Sequence, residues 1–218
     1  MKIIDLHNHT RFSYDGQNTV FEVVENAIEN GIDIIGITDH QFSIKHRIKE
    51  YIAAVTAAKK VYEGKIKVLC GLEIGTRPKP QDFPTELSSL LDYCLFESLD
   101  DDRAMDIFEF FEWLRLFKCP AGLAHTDVFK LCEKYGDEVL KVFKNNNMFW
   151  EINFSGNYDY YFDLITNKRK QNLISESGIK LSVGSDTHWI GDFSKIRLIE
   201  TNEFARKLKC PLALGIVD

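Results

Sequence analysis

The sequence has few cysteines, and their spacing does not suggest a structural role for them. The five cysteines are odd in number and include no C-x-x-C pair. This pattern indicates neither a disulfide framework nor a thiolate zinc knuckle. We expect buried, reduced thiols instead.

Long apolar stretches are also missing. No segment approaches the ~20 uninterrupted apolar residues of a membrane span. The first residues, M-K-I-I-D-L-H, lack the apolar stretch of a signal peptide. We therefore expect a cytoplasmic protein without a membrane partner.

Positive charge is in deficit. The formal net charge is -6 and the pI is about 5.6. Binding to a nucleic-acid backbone or to a membrane surface relies on concentrated Lys and Arg, so the net charge argues against nucleic acid as a partner. A small phosphorylated molecule held by metal ions is compatible with this balance.

No linker, charge block or internal repeat divides the 218 residues, of which 44% are hydrophobic. We expect one domain over residues 1–218. Short apolar runs alternate with amphipathic stretches, and this alternation predicts right-handed crossovers and a parallel sheet, closed or open. The predicted strands are 3–6, 32–37, 66–72, 93–96, 121–124, 149–152 and 179–183.

The clearest predicted helix begins after an N-cap at Thr19. Glu22, three residues later, completes a capping box, and Gly31 marks the end. A second helix is predicted over 46–62, before Gly64. The remaining predicted helices lie within 105–117, 138–145, 167–176 and 202–208.

Histidines and carboxylates follow these strands at their carboxyl ends. In a closed parallel barrel those ends surround one opening, which is where such barrels carry their chemistry. Converging imidazoles and carboxylates are costly to bury unless a cation neutralises them, so the pattern predicts a metalloenzyme. The residues are His7 and His9, His40, Glu73, Glu97, His125, and Asp186 with His188.

The H-x-H pair of His7 and His9 places both side chains on one face of an extended segment, where they can bind one ion. Asp186 and His188 repeat this spacing in G-S-D-T-H. Asp15, in S-Y-D-G, is either a ligand or a turn residue before glycine.

His40 and Asp39 end the second strand. We interpret His40 as a ligand, whereas Asp39 either orients an imidazole or forms part of a turn. Glu73 lies in an apolar strand, where an unpaired carboxylate would cost several kcal/mol, and its two oxygens could bridge two ions. His125 is a further candidate ligand, and His46 is expected to be a solvated surface residue.

The order of these motifs resembles that of the PHP (polymerase and histidinol phosphatase) domain family. The motifs are H-x-H, S-Y-D-G, T-D-H, G-L-E, a later His and S-D-T-H. The likeness spans residues 5–188. It implies an α/β fold, a distorted (β/α)7 barrel, with two or three divalent metal ions (zinc, manganese or iron) and phosphate-ester hydrolysis.

The resemblance also implies how the ligands divide among the ions. One ion would be held by His7, His9, Glu73 and Asp186, and a second in part by Glu73 and His125. A third would be held by Asp15, His40 and His188.

The sequence departs from the family pattern after the fourth strand, where many family phosphatases have a histidine that completes the second site. Here the segment reads D-Y-C-L-F-E-S-L-D-D. Glu97 is the candidate substitute, with Asp100 and Asp101 as weaker ones. An oxygen ligand in place of nitrogen would shift preference from zinc toward manganese or magnesium.

The leading functional hypothesis is a phosphatase for a small phosphomonoester such as histidinol phosphate or a nucleotide. The alternatives are a nuclease and a metal-binding regulatory protein with weakened hydrolysis. The candidate catalytic groups are Asp186, His188 and His40, and the candidate substrate-binding groups are Arg77, Lys79 and Arg197. A loop over residues 154–162, rich in tyrosine, either covers the substrate or packs as a lid.

Overall fold

Eight short strands, paired only in parallel, form the centre of the molecule in the computed structural model, which describes residues 1–77 and 83–216. They form a three-stranded sheet, β1-β2-β3, and a five-stranded sheet, β4-β5-β6-β7-β8. Their bounds are β1 Ile4–Asp5, β2 Ile34–Ile37, β3 Lys67–Cys70, β4 Glu73–Gly75, β5 Cys94–Glu97, β6 Ala121–Leu123, β7 Phe149–Asn153 and β8 Lys180–Gly184.

The two sheets join into a ring at both of their edges. At one seam, β3 and β4 are halves of a single strand position, interrupted at residues 71 and 72, and the Leu95 N–H donates to the Leu72 carbonyl at 2.9 Å. At the other, the Leu6 N–H beyond β1 donates to the carbonyl of Val183 in β8 at 2.8 Å. Seven strand positions therefore surround one core, which confirms the distorted (β/α)7 barrel.

The interruption of the third strand is stabilised by two buried tyrosines. The Tyr51 hydroxyl lies 2.7 and 2.6 Å from the carbonyl oxygens of Ile37 and Gly71, next to the point where the third strand is interrupted. Glycine is required at position 71 because a Cβ there would lie 2.7 Å from the Tyr93 ring. The Tyr93 hydroxyl in turn donates to the Leu6 carbonyl at 2.6 Å, across the barrel.

Nine α-helices accompany the strands in the described part of the chain, and none of them is long and apolar enough to cross a membrane. They are α1 Val20–Glu29, α2 Gln41–Ile44, α3 Ile48–Val61, α4 Ile107–Leu114, α5 Val128–Tyr135, α6 Glu138–Asn145, α7 Asp159–Thr166, α8 Lys168–Ser177 and α9 Lys195–Lys207.

Helix α1 forms as predicted. The Glu22 N–H donates to Thr19 Oγ1 at 3.2 Å, and the Thr19 N–H donates to Glu22 Oε2 at 2.7 Å, so the capping box is complete. Gly31 follows the helix with a φ of 73°, a conformation that favours glycine. The predicted helix over 138–145 also has the bounds of α6, and those over 46–62, 105–117 and 167–176 contain most of α3, α4 and α8.

Three helices were not predicted, and one was predicted too short. The 154–162 segment is not a continuous loop, because α7 begins at Asp159; its run of tyrosine and phenylalanine has weak helix propensity, and burial of Tyr160 and Leu164 compensates. Helices α2 and α5 are short and were also missed. Helix α9 begins at Lys195 after an N-cap at Ser194, well before the predicted start at residue 202, because its apolar residues do not fall on one clear face.

The strand ends position the site. Several residues that follow the strands have positive φ angles, namely 66° at Ser98, 28° at His125 and 57° at Asp186. Such backbone conformations cost energy for residues other than glycine and persist only where surrounding contacts hold them. At His125 and Asp186 they accompany side chains that face the opening at the carboxyl ends of the strands, which we call the mouth.

Candidate metal centre

Four side chains from three parts of the barrel bring their donor atoms together at the base of the mouth. His7 Nε2 and His9 Nε2 are 3.0 Å apart, and both lie 3.4 Å from an oxygen of Glu73. Asp186 Oδ1 lies 3.4 Å from His7 Nε2 and 3.2 Å from His9 Nε2.

These separations fit a single ion. Zinc bonds to nitrogen and oxygen are about 2.0–2.1 Å long, so tetrahedral ligands lie about 3.3 Å from one another. The distances of His7 Nε2 and His9 Nε2 from each other and from the nearest oxygens of Glu73 and Asp186, 3.0–3.4 Å, lie close to that value. The four residues that the sequence predicts as one ligand set are therefore brought together.

A second group of donors surrounds Glu73. His125 Nε2 lies 2.8 Å from Glu73 Oε1, and His40 Nδ1 lies 2.8 Å from Glu73 Oε2. Glu97 Oε1 lies 3.8 Å from His40 Nδ1. Glu73 Oε2 and His40 Nδ1 are nonetheless buried without a hydrogen bond of good geometry among the described residues. Buried oxygen and nitrogen atoms that lack hydrogen bonds are suited to bind a cation.

A third group lies nearer the surface. Asp15 Oδ2 is 3.4 Å from His40 Nε2 and 3.4 Å from His188 Nε2, and His9 is close enough to join them. Asp15 Oδ1 is buried with no hydrogen-bond partner in the part of the chain that the structure describes. The sequence predicts Asp15, His40 and His188 together but does not predict that His9 faces this group as well.

Opposite charges in the mouth shift the pKa values of its histidines and carboxylates. Burial raises the pKa of Glu73, but the nearby histidines outweigh it and hold that pKa well below its usual range. Burial lowers the pKa of His125, yet Glu73 raises it to about 9. The pKa of His7 is likewise raised well above its usual value, because Glu151, Glu73 and Asp186 outweigh burial. The carboxylates that raise these histidine pKa values would also attract a cation, so metal binding and protonation of the imidazoles compete at this site.

Glu97 differs from the two other acidic residues considered as substitutes for the missing histidine. Burial and the charge of Glu73 raise its pKa, and it belongs to a group with His40 and Glu73. Asp100 instead lies 3.8 Å from Lys130. Asp101 pairs with Arg77 and Arg103, outside the groups of possible metal ligands found among the described residues.

Asp39 has no place among the candidate ligands. Its Oδ1 accepts hydrogen bonds from the backbone N–H groups of Thr10 and Ser13, both at 2.8 Å, and its Oδ2 accepts from the Thr10 hydroxyl at 2.8 Å. It therefore fixes the loop that carries Asp15. His46 is exposed, as expected from the sequence.

Two residues that contact the H-x-H pair were not predicted as site residues. Glu151, in the middle of β7, accepts from His7 Nδ1 at 2.8 Å. Ser13 Oγ lies 3.2 Å from His9 Nδ1. Glu151 carries the same signal that identified Glu73, an acidic residue inside an apolar strand, in the sequence F-W-E-I-N.

A cavity of about 320 Å³ opens beside the donors, lined in part by Asp186, His188 and Arg197. Arg197 is thus the predicted substrate-binding residue that borders this space. Arg77 pairs with Asp101 at 2.5 Å, and Lys79 lies outside the described residues.

The three tyrosines of the 154–162 segment have different surroundings. Tyr158 stacks on His125, with ring centroids 4.6 Å apart, and its hydroxyl donates to Asp186 Oδ2 at 3.4 Å. Tyr160 is buried in the core, and the Tyr161 hydroxyl lies 2.9 Å from that of Thr201. Only Tyr158 of the three therefore contacts the candidate ligands, among the contacts described.

Comparison with known proteins identifies the family. The PHP domain model matches residues 5–155, more than half of the chain. Histidinol-phosphatase of Lactococcus lactis subsp. lactis (strain IL1403) is 26% identical over 178 residues, which cover 75% of this chain and 61% of that protein. A probable phosphatase of Clostridium novyi (strain NT) is 24% identical over 215 residues, which cover 90% of this chain and 84% of that protein.

The fold has a close counterpart among solved structures. The crystal structure of the Lactococcus lactis histidinol phosphate phosphatase, complexed with zinc, L-histidinol and phosphate, superposes with a TM-score of 0.64 and 15% identity. The superposition covers 97% of this chain and 95% of that one. The family match, the shared barrel and the convergence of the ordered motifs at one mouth agree: the chain belongs to the PHP domain family.

Proposed function

We propose that this protein is a metal-dependent phosphatase that hydrolyses a small phosphomonoester with the help of two or three divalent ions. The observation that carries the proposal is the convergence of nine imidazole and carboxylate side chains at one mouth, beside a cavity of about 320 Å³. Cavities of this size suit small organic ligands.

The proposed ligands follow the three groups of donors. His7, His9, Glu73 and Asp186 would hold the first ion, and Asp15, His40 and His188 the third. Glu73, His125 and Glu97 would hold the second. Divalent ions in such positions supply positive charge for phosphate oxygens and lower the pKa of water. Zinc, manganese and iron are all compatible with this mixed set of nitrogen and oxygen donors.

The side chains around the cavity have distinct proposed roles. Arg197 would bind the phosphate, since a guanidinium matches phosphate oxygens in geometry and charge. Asp186, His188 and His40 are the proposed catalytic groups. The His188 Nδ1–H donates to the Asp186 carbonyl at 2.8 Å, which directs Nε2 toward Asp15. With 32% of its side chain exposed, His188 is the most accessible of the site imidazoles, and its proposed catalytic role is to hold the third ion beside the substrate.

Tyr158 would limit access of water to the mouth. Its ring covers His125 and its hydroxyl reaches Asp186, so it closes one side of the space where a phosphate would sit. Excluding water strengthens the electrostatic interactions inside.

The experiment that tests this function is a screen of phosphomonoesters, including histidinol phosphate and nucleoside monophosphates, with the metal content measured on the same sample. We expect hydrolysis of at least one small monoester by protein loaded with manganese or zinc. A preparation that carries metal and hydrolyses no monoester would contradict the proposed function.

The presence of Glu97, where many family phosphatases have a histidine, supports a second candidate function. This function is that of a metal-binding regulatory protein with weakened hydrolysis. The same screen separates the two functions, since the regulatory protein would bind metal without turnover.

Replacing Glu97 by histidine tests its proposed role. We expect E97H to raise the preference for zinc over manganese by roughly tenfold, because imidazole suits zinc better than carboxylate oxygen does. The measurement is competition between the two ions, followed by elemental analysis. Asp100→His, three residues away and paired with Lys130, serves as the control. An unchanged preference in E97H would show that Glu97 does not contact an ion.

A further inference from the structure

Glu151 lies at a junction between two of the three donor groups. Its side chain is fully buried within β7. One oxygen, Oε1, accepts from His7 Nδ1 at 2.8 Å, and the other, Oε2, accepts from the His125 backbone N–H at 2.6 Å. We propose that Glu151 is a positioning residue that orients His7 and His125 for metal binding, an inference that rests on the proposed function.

The contact with His7 fixes which nitrogen faces the mouth. An ionised carboxylate has no proton to donate, so His7 Nδ1 must carry the proton in this hydrogen bond. In the metal-binding form of His7 the lone pair is then on Nε2, the atom 3.0 Å from His9 Nε2 and 3.4 Å from Asp186 Oδ1. Carboxylate partners of this kind fix the tautomer and ring orientation of metal-binding histidines and raise their basicity.

The contact with His125 holds an unusual backbone. His125 follows β6 with a φ of 28°, a conformation that non-glycine residues rarely adopt. The hydrogen bond from its N–H to Glu151 helps hold this conformation, in which His125 Nε2 lies 2.8 Å from Glu73 Oε1. Glu151 therefore acts on one histidine through its ring and on the other through its main chain.

The surroundings of Glu151 leave it little freedom to move. A Cβ on Gly184, in the neighbouring strand β8, would lie 1.8 Å from Glu151 Oε1, so glycine at this position makes room for the carboxylate. Asn153 Nδ2 donates to Glu151 Oε2 at 3.2 Å, and Asn153 Oδ1 accepts from the Ser155 N–H at 3.0 Å. The same carboxylate is thus linked to the loop that borders the cavity.

The two histidines of the H-x-H pair have unequal partners. His9 Nδ1 faces the neutral Ser13 hydroxyl at 3.2 Å, whereas His7 Nδ1 faces a carboxylate at 2.8 Å. Hydrogen bonds to a charged group are stronger than those between neutral groups. His7 is therefore the more rigidly held of the two.

The variant E151Q isolates this role because glutamine has nearly the same shape. Its amide has one accepting oxygen and a donating NH₂ group, so it can accept from His7 Nδ1 or from the His125 N–H but not from both. We expect the zinc dissociation constant of E151Q, measured by competition with a chelator, to rise roughly 10- to 100-fold. The matched control is Asn202→Ala, which removes buried hydrogen bonds to Ile4 at the start of β1 without touching a candidate ligand.

The comparison separates positioning from general support of the fold. N202A should lower thermal stability while the folded protein keeps wild-type zinc affinity. E151Q should lose affinity even when circular dichroism shows a native fold. If E151Q does not fold, E151D, which keeps the charge but shortens the side chain, is measured in the same way. Wild-type affinity in the folded variant, or an equal loss in N202A, would overturn the inference.

Failure of the proposed function is recognised separately. A wild-type protein that binds zinc but hydrolyses no phosphomonoester contradicts the phosphatase proposal, and the affinity comparison still decides the role of Glu151. A wild-type protein that binds no metal overturns both.

Discussion

Replacing Asp186 by asparagine is expected to lower kcat/KM for phosphomonoester hydrolysis about 10³-fold or more, in line with the loss of a charged group that acts directly at a reacting centre. Asp186 Oδ1 faces both histidines of the H-x-H pair, and the residue lines the cavity as well. Asparagine keeps the size of the side chain but removes its charge, so the loss would be electrostatic.

Asparagine is the right replacement because of the backbone. Asp186 has a φ of 57°, and asparagine adopts this left-handed conformation more readily than alanine does. The fold should therefore survive in D186N, which circular dichroism can verify. The control is Asp163→Asn, which removes the exposed carboxylate of Asp163 in α7 that pairs with Lys170 in α8. This variant should retain wild-type activity. Activity in D186N above about a tenth of wild type would contradict the assignment of Asp186.

Removal of metal is expected to abolish hydrolysis and to lower the thermal stability of the protein. A ligand that binds only the folded state stabilises it by about 2.7 kcal/mol at a hundredfold excess over its dissociation constant. Several ions bound among buried carboxylates should give an effect of at least this size, since they neutralise Glu73, Asp186 and Asp15 together. The measurement is thermal unfolding and activity after chelation, and again after addition of manganese or zinc.

The control for metal removal is a variant that lacks one proposed ligand. His7→Ala should show a smaller rise of the melting temperature on addition of metal than wild type does, because His7 Nε2 belongs to the first group of donors. The scheme would be wrong if the chelated wild-type protein kept full activity, or if added metal stabilised H7A as much as wild type.

The sequence alone predicts much of the site because its motifs are local. H-x-H places two donors on one face by strand geometry, whereas the donors of S-D-T-H reach the mouth through a left-handed backbone at Asp186. Alternation of strands and helices then predicts that these segments end at one rim. The structure brings His7, His9 and Asp186 within 3.4 Å of one another as that reasoning requires.

The contacts that the sequence does not predict depend on long-range packing. Glu151 reaches His7 across 144 residues of sequence, and Arg77 pairs with Asp101, a contact that no local motif predicts. The pairing of His9 with the third group depends on how the loop that carries Asp15 folds back onto Asp39. The prediction of secondary structure was wrong at α7 for a related reason. There the burial of aromatic residues compensates for their weak helix propensity.

The central claim is that metal ions bind at the mouth of the barrel, between His7, His9, Glu73 and Asp186. Anomalous diffraction from crystals grown with zinc or manganese tests it most directly. We predict a peak about 2.0–2.3 Å from His7 Nε2, His9 Nε2 and a carboxylate oxygen of Asp186. An active preparation whose crystals show no metal at the mouth would contradict it.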